Sequence, residues 1–211
     1  MNQKITIAIN REYGSGGRMI GEMLADDLGI HYYDKEILKL AADDSGINES
    51  LFINAEELKG RAALFRAVRS INDGELIPPE STDYTSERNL FNYQAKIIKK
   101  LCDQESCVIV GRCGGFILND RPNVVRVFIH APMQFLLQGA AKKKSLPARE
   151  LQKFIERTNR KRAEYTEYYT GEKWDDAHNY DLCLDSSKLG YEKCVEIIKG
   201  YMKVRFDGLV F

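Results

Sequence analysis

A glycine-rich turn near the start of the chain constrains the fold more than any other feature of the sequence. It is preceded by a predicted buried strand, in which Ile5, Ile7 and Ile9 alternate with uncharged residues. It is followed by a predicted amphipathic helix that we expect to end at Gly29. The turn itself is Gly14-Ser15-Gly16-Gly17. A strand, a glycine turn and a helix in this order let consecutive backbone N–H groups converge on an anion.

The turn departs from the general phosphate-loop pattern G-x-x-x-x-G-K-[ST]. When Gly17-Arg18 is aligned with the Gly-Lys pair, Glu12 stands at the first glycine and Arg18 at the lysine. Met19 and Ile20 then stand where a Mg²⁺-binding hydroxyl is expected. Phosphate binding is favoured because a guanidinium can bind phosphate oxygens through two parallel hydrogen bonds. The alternative is a tight strand-to-helix turn in which the glycines serve geometry alone.

Short apolar segments alternate with helical patterns along the rest of the chain. Strands are predicted at residues 31–33, 107–110, 124–129 and 181–184, and a long basic helix at about 147–165. This alternation is typical of βαβ units, with a parallel sheet covered by helices on both faces. In such sheets ligands bind at the carboxyl ends of the strands.

Composition narrows the class of protein. The chain has 211 residues, 44% of them hydrophobic and 29% charged, which indicates one globular domain. Lys plus Arg and Asp plus Glu are 31 each, so the formal net charge is zero. We therefore expect neither a nucleic acid polymer nor a membrane as the main partner, because both favour a basic surplus. The sequence does not indicate an oligomeric state.

The five cysteines are odd in number and include no CxxC pair, which favours reduced thiols over disulfides or a zinc site. The first residues show no apolar signal segment. Together these features predict a cytoplasmic protein.

Several segments, taken in order, resemble the cytidylate kinase-like family of P-loop kinases. The resemblance begins with the loop Arg11-Glu12-Tyr13-Gly14-Ser15-Gly16-Gly17-Arg18 and extends from near residue 5 to about residue 200. Its further segments are Tyr32-Tyr33-Asp34-Lys35, Val108-Ile109-Val110-Gly111-Arg112-Cys113, Phe128-Ile129-His130-Ala131-Pro132, Tyr168-Tyr169-Thr170-Gly171 with Trp174, and Asn179 to Leu184.

This resemblance implies an α/β P-loop kinase fold of three α/β/α layers, with a five-stranded parallel sheet, a helical monophosphate-binding lobe and a lid. It implies a single domain over residues 1–211, with 48–104 as the acceptor lobe and about 147–178 as the lid. It also implies transfer of a phosphoryl group from ATP to CMP or dCMP with Mg²⁺.

The resemblance assigns roles to particular residues. The ATP phosphates would be held by the loop residues Gly14, Ser15, Gly16, Gly17, Arg18 and Met19. The acceptor phosphate would be bound by Arg112, with Gly111 and Asp34 beside it. The catalytic arginines would be Arg18 and, in the lid, Arg157, Arg160 and Arg162. For the lid arginines the alternative is an ordinary solvated basic face.

The sequence departs from the family pattern at carboxylates. Cys113 stands where true cytidylate kinases carry an aspartate, and Asn159 stands in the lid where an aspartate is common. Asp34 is the best remaining Mg²⁺ ligand, although it is also placed to cap the helix predicted at 35–42.

Three functions follow as hypotheses. The first is a nucleoside monophosphate kinase, with CMP or dCMP as acceptor. The second is a nucleotide-binding sensor or interaction protein that has lost phosphoryl transfer, which the missing carboxylates motivate. The third is a kinase of another small metabolite, which Cys113 motivates.

Overall fold

The computed structural model describes residues 4–57 and 75–206, and a five-stranded parallel sheet forms their centre. The strand order is β2-β3-β1-β4-β5, and every neighbouring pair is parallel. The strands are β1 Thr6–Arg11, β2 His31–Tyr33, β3 Cys107–Val110, β4 Val124–His130 and β5 Leu182–Asp185. The parallel sheet predicted from the alternation of strands and helices is confirmed.

Helices cover both faces of this sheet. They are α1 Gly17–Leu28, α2 Glu36–Ser45, α3 Glu49–Glu57, α4 Glu87–Gln104, α5 Gly114–Ile117, α6 Met133–Ala141, α7 Ala148–Thr170 and α8 Ser186–Arg205, with a single 3₁₀ turn at Ala177–Asn179. None of the helices within the described ranges is long and apolar enough to cross a membrane.

The side-chain alternation of the central strands divides the core into two layers. Ile7 and Ile9 of β1 pack on the face covered by α1 and α8, together with Val108 and Val110 of β3. Their neighbour Ala8 packs on the opposite face, against residues from α2 to α5. A strand buried on both faces must be apolar throughout, which explains the continuous apolar sequence of β3. The layers are therefore α/β/α.

Several element boundaries differ from the sequence prediction. The helix expected to end near residue 165 continues to Thr170 and ends at Gly171, which has φ of 72°. It continues because Tyr169 stays on the buried face and stacks on the ring of Phe91, with ring centroids 4.2 Å apart. The last strand covers 182–185, one residue later than expected. The end of α1 at Gly29 is confirmed.

The expectation that Asp34 caps a helix is wrong. Helix α2 begins at Glu36, and its cap position, Lys35, makes no side-chain capping hydrogen bond. The Asp34 carboxylate instead accepts a hydrogen bond from Arg18, sixteen residues earlier in the chain. The tertiary ion pair therefore takes the place of the local cap.

The broken helical region expected at 48–104 contains α3 and α4 among its described residues. Residues 58–74, which fall inside this predicted acceptor lobe, lie outside the described residues. The turn before α4 is fixed by buried Asn89, whose Oδ1 accepts from the Ile77 N–H at 2.9 Å. The Nδ2 group of Asn89 donates to the Tyr84 carbonyl at 2.7 Å.

Truncation of the central core tests this packing. We expect Ile109→Ala to lower the free energy of unfolding by about 2–5 kcal/mol, because Ile109 is fully buried in β3 and the change leaves a cavity. Val204→Ala is the matched control, since Val204 is 83% exposed and its truncation should cost less than about 0.5 kcal/mol. Urea-induced unfolding measures both, and equal midpoints for the two variants would contradict the packing described.

Candidate active site

The site lies at one edge of the sheet, where three adjacent strands end. Strand β1 ends at Arg11 and leads into the glycine turn, β2 is followed by Asp34, and β3 is followed by Gly111 and Arg112. Because β2, β3 and β1 are neighbours and parallel, their carboxyl ends meet at the same edge. The predicted phosphate-binding and acceptor-binding residues are thereby brought together.

The glycine turn is fixed by close contact with two helices. Gly14 and Gly16 have φ of 93° and 84°, a conformation that favours glycine. A Cβ at Gly14 would collide with the backbone carbonyl of Leu136 in α6, and a Cβ at Gly16 would collide with the ring of Tyr191 in α8. These contacts leave no room for side chains, so the glycines serve packing as well as backbone geometry.

Backbone N–H groups are available at the end of the turn. Gly16 is the cap position of α1, and among the described residues no side chain caps this helix. The first N–H groups of a helix lack intrahelical acceptors and carry the positive end of the helix dipole. The turn therefore has the donors that an anion requires at this position.

Hydrogen bonds from both sides hold the turn. The Ser15 Oγ group donates to the carbonyl of Glu12 at 2.9 Å, and the Glu12 carboxylate accepts from the N–H of Ala131 at 3.0 Å. Buried Ser186, the first residue of α8, donates through Oγ to the Ser15 carbonyl at 2.7 Å. Ser186 thus acts as a tie between α8 and the turn, and the helix cap is Asp185.

Arginines surround the Asp34 carboxylate. Arg18 donates a hydrogen bond to Oδ2 of Asp34, and the Arg11 guanidinium lies 3.9 Å from Oδ1. Arg112 donates through Nε to the backbone carbonyl of Asp34 at 3.3 Å. The Asp34 side chain is only 9% exposed, so this is a buried cluster of charge.

Helix α7 adds a fourth arginine to the cluster. Arg162 donates to the backbone carbonyl of Arg11 at 2.7 Å, and Asn159 Oδ1 accepts from the Tyr13 N–H at 2.8 Å. Asn159 therefore supplies an acceptor oxygen to the backbone just before the glycine turn. The helix predicted to belong to the lid is hydrogen bonded to the backbone of the glycine turn.

Burial changes the electrostatics of these arginines. Burial lowers the pKa of Arg11 and of Arg112, and the nearby Asp34 charge only partly opposes this effect. Burial also lowers the pKa of Arg162, with a further contribution from the positive charge of Arg11. Arg18 is less buried; desolvation lowers its pKa, but the hydrogen bond and charge of Asp34 outweigh that effect and raise it. One carboxylate thus faces several desolvated guanidinium groups.

The backbone beyond β3 is strained. Gly111, Arg112 and Cys113 have φ of 81°, 59° and 53°, so three consecutive residues are left-handed. A bulky residue in this region costs on the order of 1–3 kcal/mol and is found mainly at functional sites. The conformation directs Arg112 toward Asp34, while Cys113 is buried beside Thr166, its Sγ 4.0 Å from the threonine Oγ1.

Not all predicted site residues meet at this edge. Arg157 and Arg160 are exposed on α7, and the Arg157 guanidinium lies 5.6 Å from the centre of the Phe154 ring. Met19 is 48% exposed at the start of α1. Of the three predicted lid arginines, Arg162 is the one that contacts the glycine turn.

Arg11 was not among the site residues predicted from the sequence. It ends β1, its side chain is 17% exposed, and it joins the Asp34 cluster. The sequence signal for Arg11 was its position, as a charged residue directly after the uncharged residues of the predicted buried strand. Aligning Gly17-Arg18 with the usual Gly-Lys pair drew attention to the other end of the turn.

The acidic side chains of the site test the fit of Mg²⁺. Asp34 is engaged by arginines, and the Glu12 carboxylate accepts from a backbone N–H. Within the described part of the chain, no group of three or more His, Cys, Asp or Glu residues is arranged to hold a metal. The residues present fit an ion held mainly by phosphate oxygens and water, with Asp34 as the available protein ligand.

A sheet of this strand order, a glycine turn before α1 and arginines at the strand ends are the features of a kinase-like P-loop fold. Residues 6–188 match the sequence profile of the cytidylate kinase-like family. The chain belongs to this family, which confirms the resemblance seen in the sequence.

Individual relatives are distant but cover nearly the whole chain. Cytidylate kinases from Methanosarcina barkeri and Methanosarcina acetivorans are 24% and 25% identical over 200 residues, which is 93% of this chain and 93% of each relative.

Solved structures support the same fold. The crystal structure of an uncharacterized protein from Eubacterium ventriosum has a TM-score of 0.69 at 24% identity and covers 95% of this chain and 99% of its own. Shikimate kinase from Bacteroides thetaiotaomicron has a TM-score of 0.55 at 14% identity, covering 94% and 98%.

Removal of the Ser186 hydroxyl tests the tie between α8 and the turn. We expect Ser186→Ala to lower the free energy of unfolding by about 1–3 kcal/mol, because it leaves the buried Ser15 carbonyl without this donor. In the control Ser187→Ala, the Asp185 carboxylate keeps its bond to the Ser187 N–H, so the loss should be smaller. Thermal unfolding of both variants is the measurement, and an equal loss of stability would contradict the tie.

Proposed function

We propose that this chain is an ATP-dependent phosphotransferase whose acceptor is a nucleoside monophosphate, with CMP or dCMP first among the candidates. The observation that carries the proposal is the convergence of four arginines at this edge. Arg11 and Arg18 lie against the Asp34 carboxylate, Arg112 donates to the Asp34 backbone carbonyl, and Arg162 donates to that of Arg11. Family membership and the two Methanosarcina cytidylate kinases support the choice of acceptor.

The chemistry of phosphoryl transfer requires such an arrangement. The reaction breaks the bond between the γ-phosphorus and the oxygen bridging to ADP, and it forms a bond to an acceptor phosphate oxygen. Proteins accelerate it mainly by positioning the two phosphates and neutralising charge on the equatorial oxygens. Desolvated guanidinium groups suit both tasks, since each offers several hydrogen bond donors in a fixed plane.

We assign the two phosphates to the two sides of the cluster. The N–H groups of residues 14–19 and the Arg18 side chain would hold the ATP phosphates. Arg112, Gly111 and Asp34 would bind the acceptor, since they follow the neighbouring strands. Mg²⁺, when bound, would neutralise charge between the ATP phosphates, with Asp34 as its protein ligand.

The remaining helices complete this proposal. Residues 48–104 would supply the acceptor lobe and about 147–178 the lid of a single domain, 1–211. Arg162 already reaches the turn, whereas Arg157 and Arg160 would approach the phosphates only after movement of α7. We keep the cytoplasm as the proposed location and free nucleotides as the proposed partners.

The proposal is tested by ADP formation from ATP and Mg²⁺ with a panel of nucleoside monophosphates. We expect the highest turnover with CMP or dCMP. Arg112→Ala should raise the KM for the acceptor about tenfold or more, because a charge-assisted phosphate contact is lost. Lys203→Ala, at an exposed position in the last turn of α8, is the control and should change neither KM.

Two other outcomes favour the competing functions. ATP binding by calorimetry without turnover on any acceptor would favour a nucleotide-binding sensor, a reading that the engaged state of Asp34 also supports. Turnover with another small phosphorylated or hydroxylated metabolite, and none with monophosphates, would move the assignment to a different kinase.

The Asp34→Asn variant tests two proposed roles of Asp34 separately: the pairing of its charge with the arginines, and the binding of Mg²⁺. We expect ATP measured in EDTA to bind several-fold more tightly, because the variant removes the carboxylate charge that competes with phosphate for Arg11 and Arg18. Turnover with Mg²⁺ should fall about tenfold or more, because the proposed metal ligand is lost. Weaker ATP binding in EDTA would contradict this account of the cluster.

A further inference from the structure

The glycine turn carries arginines at both of its ends, and their side chains take different paths. Arg18 follows the turn, is 43% exposed and reaches Asp34 from the outer side. Arg11 precedes the turn at the end of β1 and lies mostly buried between β1, β3 and α1. The two are therefore separate candidates for the cation of the phosphate loop.

The Arg11 side chain fills the space in which a side chain at position 17 would lie. A Cβ at Gly17 would collide with Cβ of Arg11 and would lie 2.9 Å from its Cγ. A Cβ at Gly111 would collide with the Arg11 guanidinium, 3.4 Å from its Cζ. Arg11 thus passes over the first residue of α1 and ends beside β3, with two glycines making room for it.

The spacing of these residues matches the general phosphate-loop pattern with two residue types exchanged. In G-x-x-x-x-G-K the first glycine and the lysine are six positions apart. Arg11 and Gly17 are also six positions apart, and Gly16 then stands at the second glycine. The element bounds agree with this alignment, since β1 ends at Arg11 and α1 begins at Gly17. In this chain the cation, Arg11, therefore stands at the end of β1, and the glycine, Gly17, stands at the start of α1.

We propose that Arg11 is the phosphate-binding cation of this turn, in place of the missing lysine. The absence of a side chain at Gly17 leaves the space that the Arg11 side chain occupies. This inference rests on the proposed function, and it concerns how a nucleoside triphosphate is held. Arg11 contacts the β- and γ-phosphate oxygens and keeps its protons throughout. Arg18 supports the cluster through Asp34 and contributes less to ATP affinity.

Two further observations agree with this assignment. The Arg11 backbone is fixed by the hydrogen bond from Arg162 to its carbonyl, and its guanidinium is positioned 3.9 Å from the Asp34 carboxylate. Burial lowers the pKa of Arg11, which means that the buried charged form lacks full compensation. An anion at the turn supplies that compensation.

The first test compares substitutions of Arg11 by calorimetric titration with ATP and excess Mg²⁺. Arg11→Met keeps much of the length of the side chain but not its charge, and it should weaken ATP binding about 10-fold to 100-fold. Arg11→Lys keeps the charge and should stay within about threefold. Arg18→Ala should cost less than Arg11→Met, at about threefold to tenfold, and the exposed control Lys203→Ala, in the last turn of α8, should cost nothing.

The second test exchanges the two residues. Gly17→Lys alone should lower the melting temperature without tightening ATP binding, because the new side chain collides with Arg11. Arg11→Gly alone should weaken ATP binding as Arg11→Met does. The double variant Arg11→Gly/Gly17→Lys should recover both stability and most of the ATP affinity, since it restores the G-x-x-x-x-G-K part of the general pattern.

The outcomes separate this inference from the proposed function. ATP binding that depends on Arg11, without turnover on any acceptor, supports the inference while the phosphotransferase proposal fails. The inference is overturned if Arg11→Met binds ATP like the unaltered chain, or if Arg18→Ala costs more than Arg11→Met. A double variant no better than Arg11→Gly in a folded protein, or an unaltered chain that binds no triphosphate, also overturns it.

Discussion

The burial of arginines beside Asp34 is the interaction on which the rest of the site depends. Desolvation lowers the pKa of Arg11, Arg112 and Arg162, and the Asp34 charge opposes this effect only in part. Removing a guanidinium from water is costly unless an opposite charge replaces the lost hydration. Asp34 pairs with Arg11 and Arg18, and through its backbone carbonyl it also accepts from Arg112. Under the proposed function, a bound phosphate would supply further negative charge to these arginines at the strand ends.

The backbone around this cluster is held by contacts that carry no charge. Gly14 lies against the backbone of α6, where a Cβ at Gly139 would in turn collide with the Gly14 carbonyl. Tyr191 covers Gly16, and Ser186 binds the Ser15 carbonyl. Because these contacts fix the direction of the N–H groups before any ligand arrives, little reorganisation is needed on binding. The core of the domain, and not the turn alone, determines the shape of the anion site.

Much of the fold could be predicted because buried strands have a recognisable apolar pattern in the sequence. Strand β3 was predicted with correct bounds, since a strand buried on both faces is continuously apolar. The ion pair of Asp34 could not be predicted from the sequence. The alternative role, a helix cap, is local and visible there, whereas its partner Arg18 is brought near only by the parallel arrangement of β1 and β2 around β3. The local sequence pattern predicts helices and strands, but it does not predict which residue a charged side chain pairs with in the folded protein.

The same limit applies to the arginines of the site. Positions 157, 160 and 162 extend over more than one face of a helix, so sequence periodicity cannot tell which of them meets the turn. The structure brings Arg162 to the Arg11 carbonyl and leaves Arg157 and Arg160 exposed on α7. Arg11 itself was overlooked because the alignment was anchored on the cation that follows the last glycine.

Zero net charge and a strongly cationic site are compatible because charge acts locally in a protein. The screening length in physiological salt is about 8 Å, so exposed acidic residues across the surface do little to offset a buried cluster. Inside the cluster, Arg11 and Arg18 lie against the Asp34 carboxylate, and Arg112 and Arg162 donate to backbone carbonyls beside it. Low exposure strengthens the attraction of a buried guanidinium for an anion. A long polyanion needs a basic surface along its length, whereas one or two phosphate groups need only this pocket. The equal count of 31 basic and 31 acidic residues thus argues against a polymer ligand but is compatible with a mononucleotide ligand.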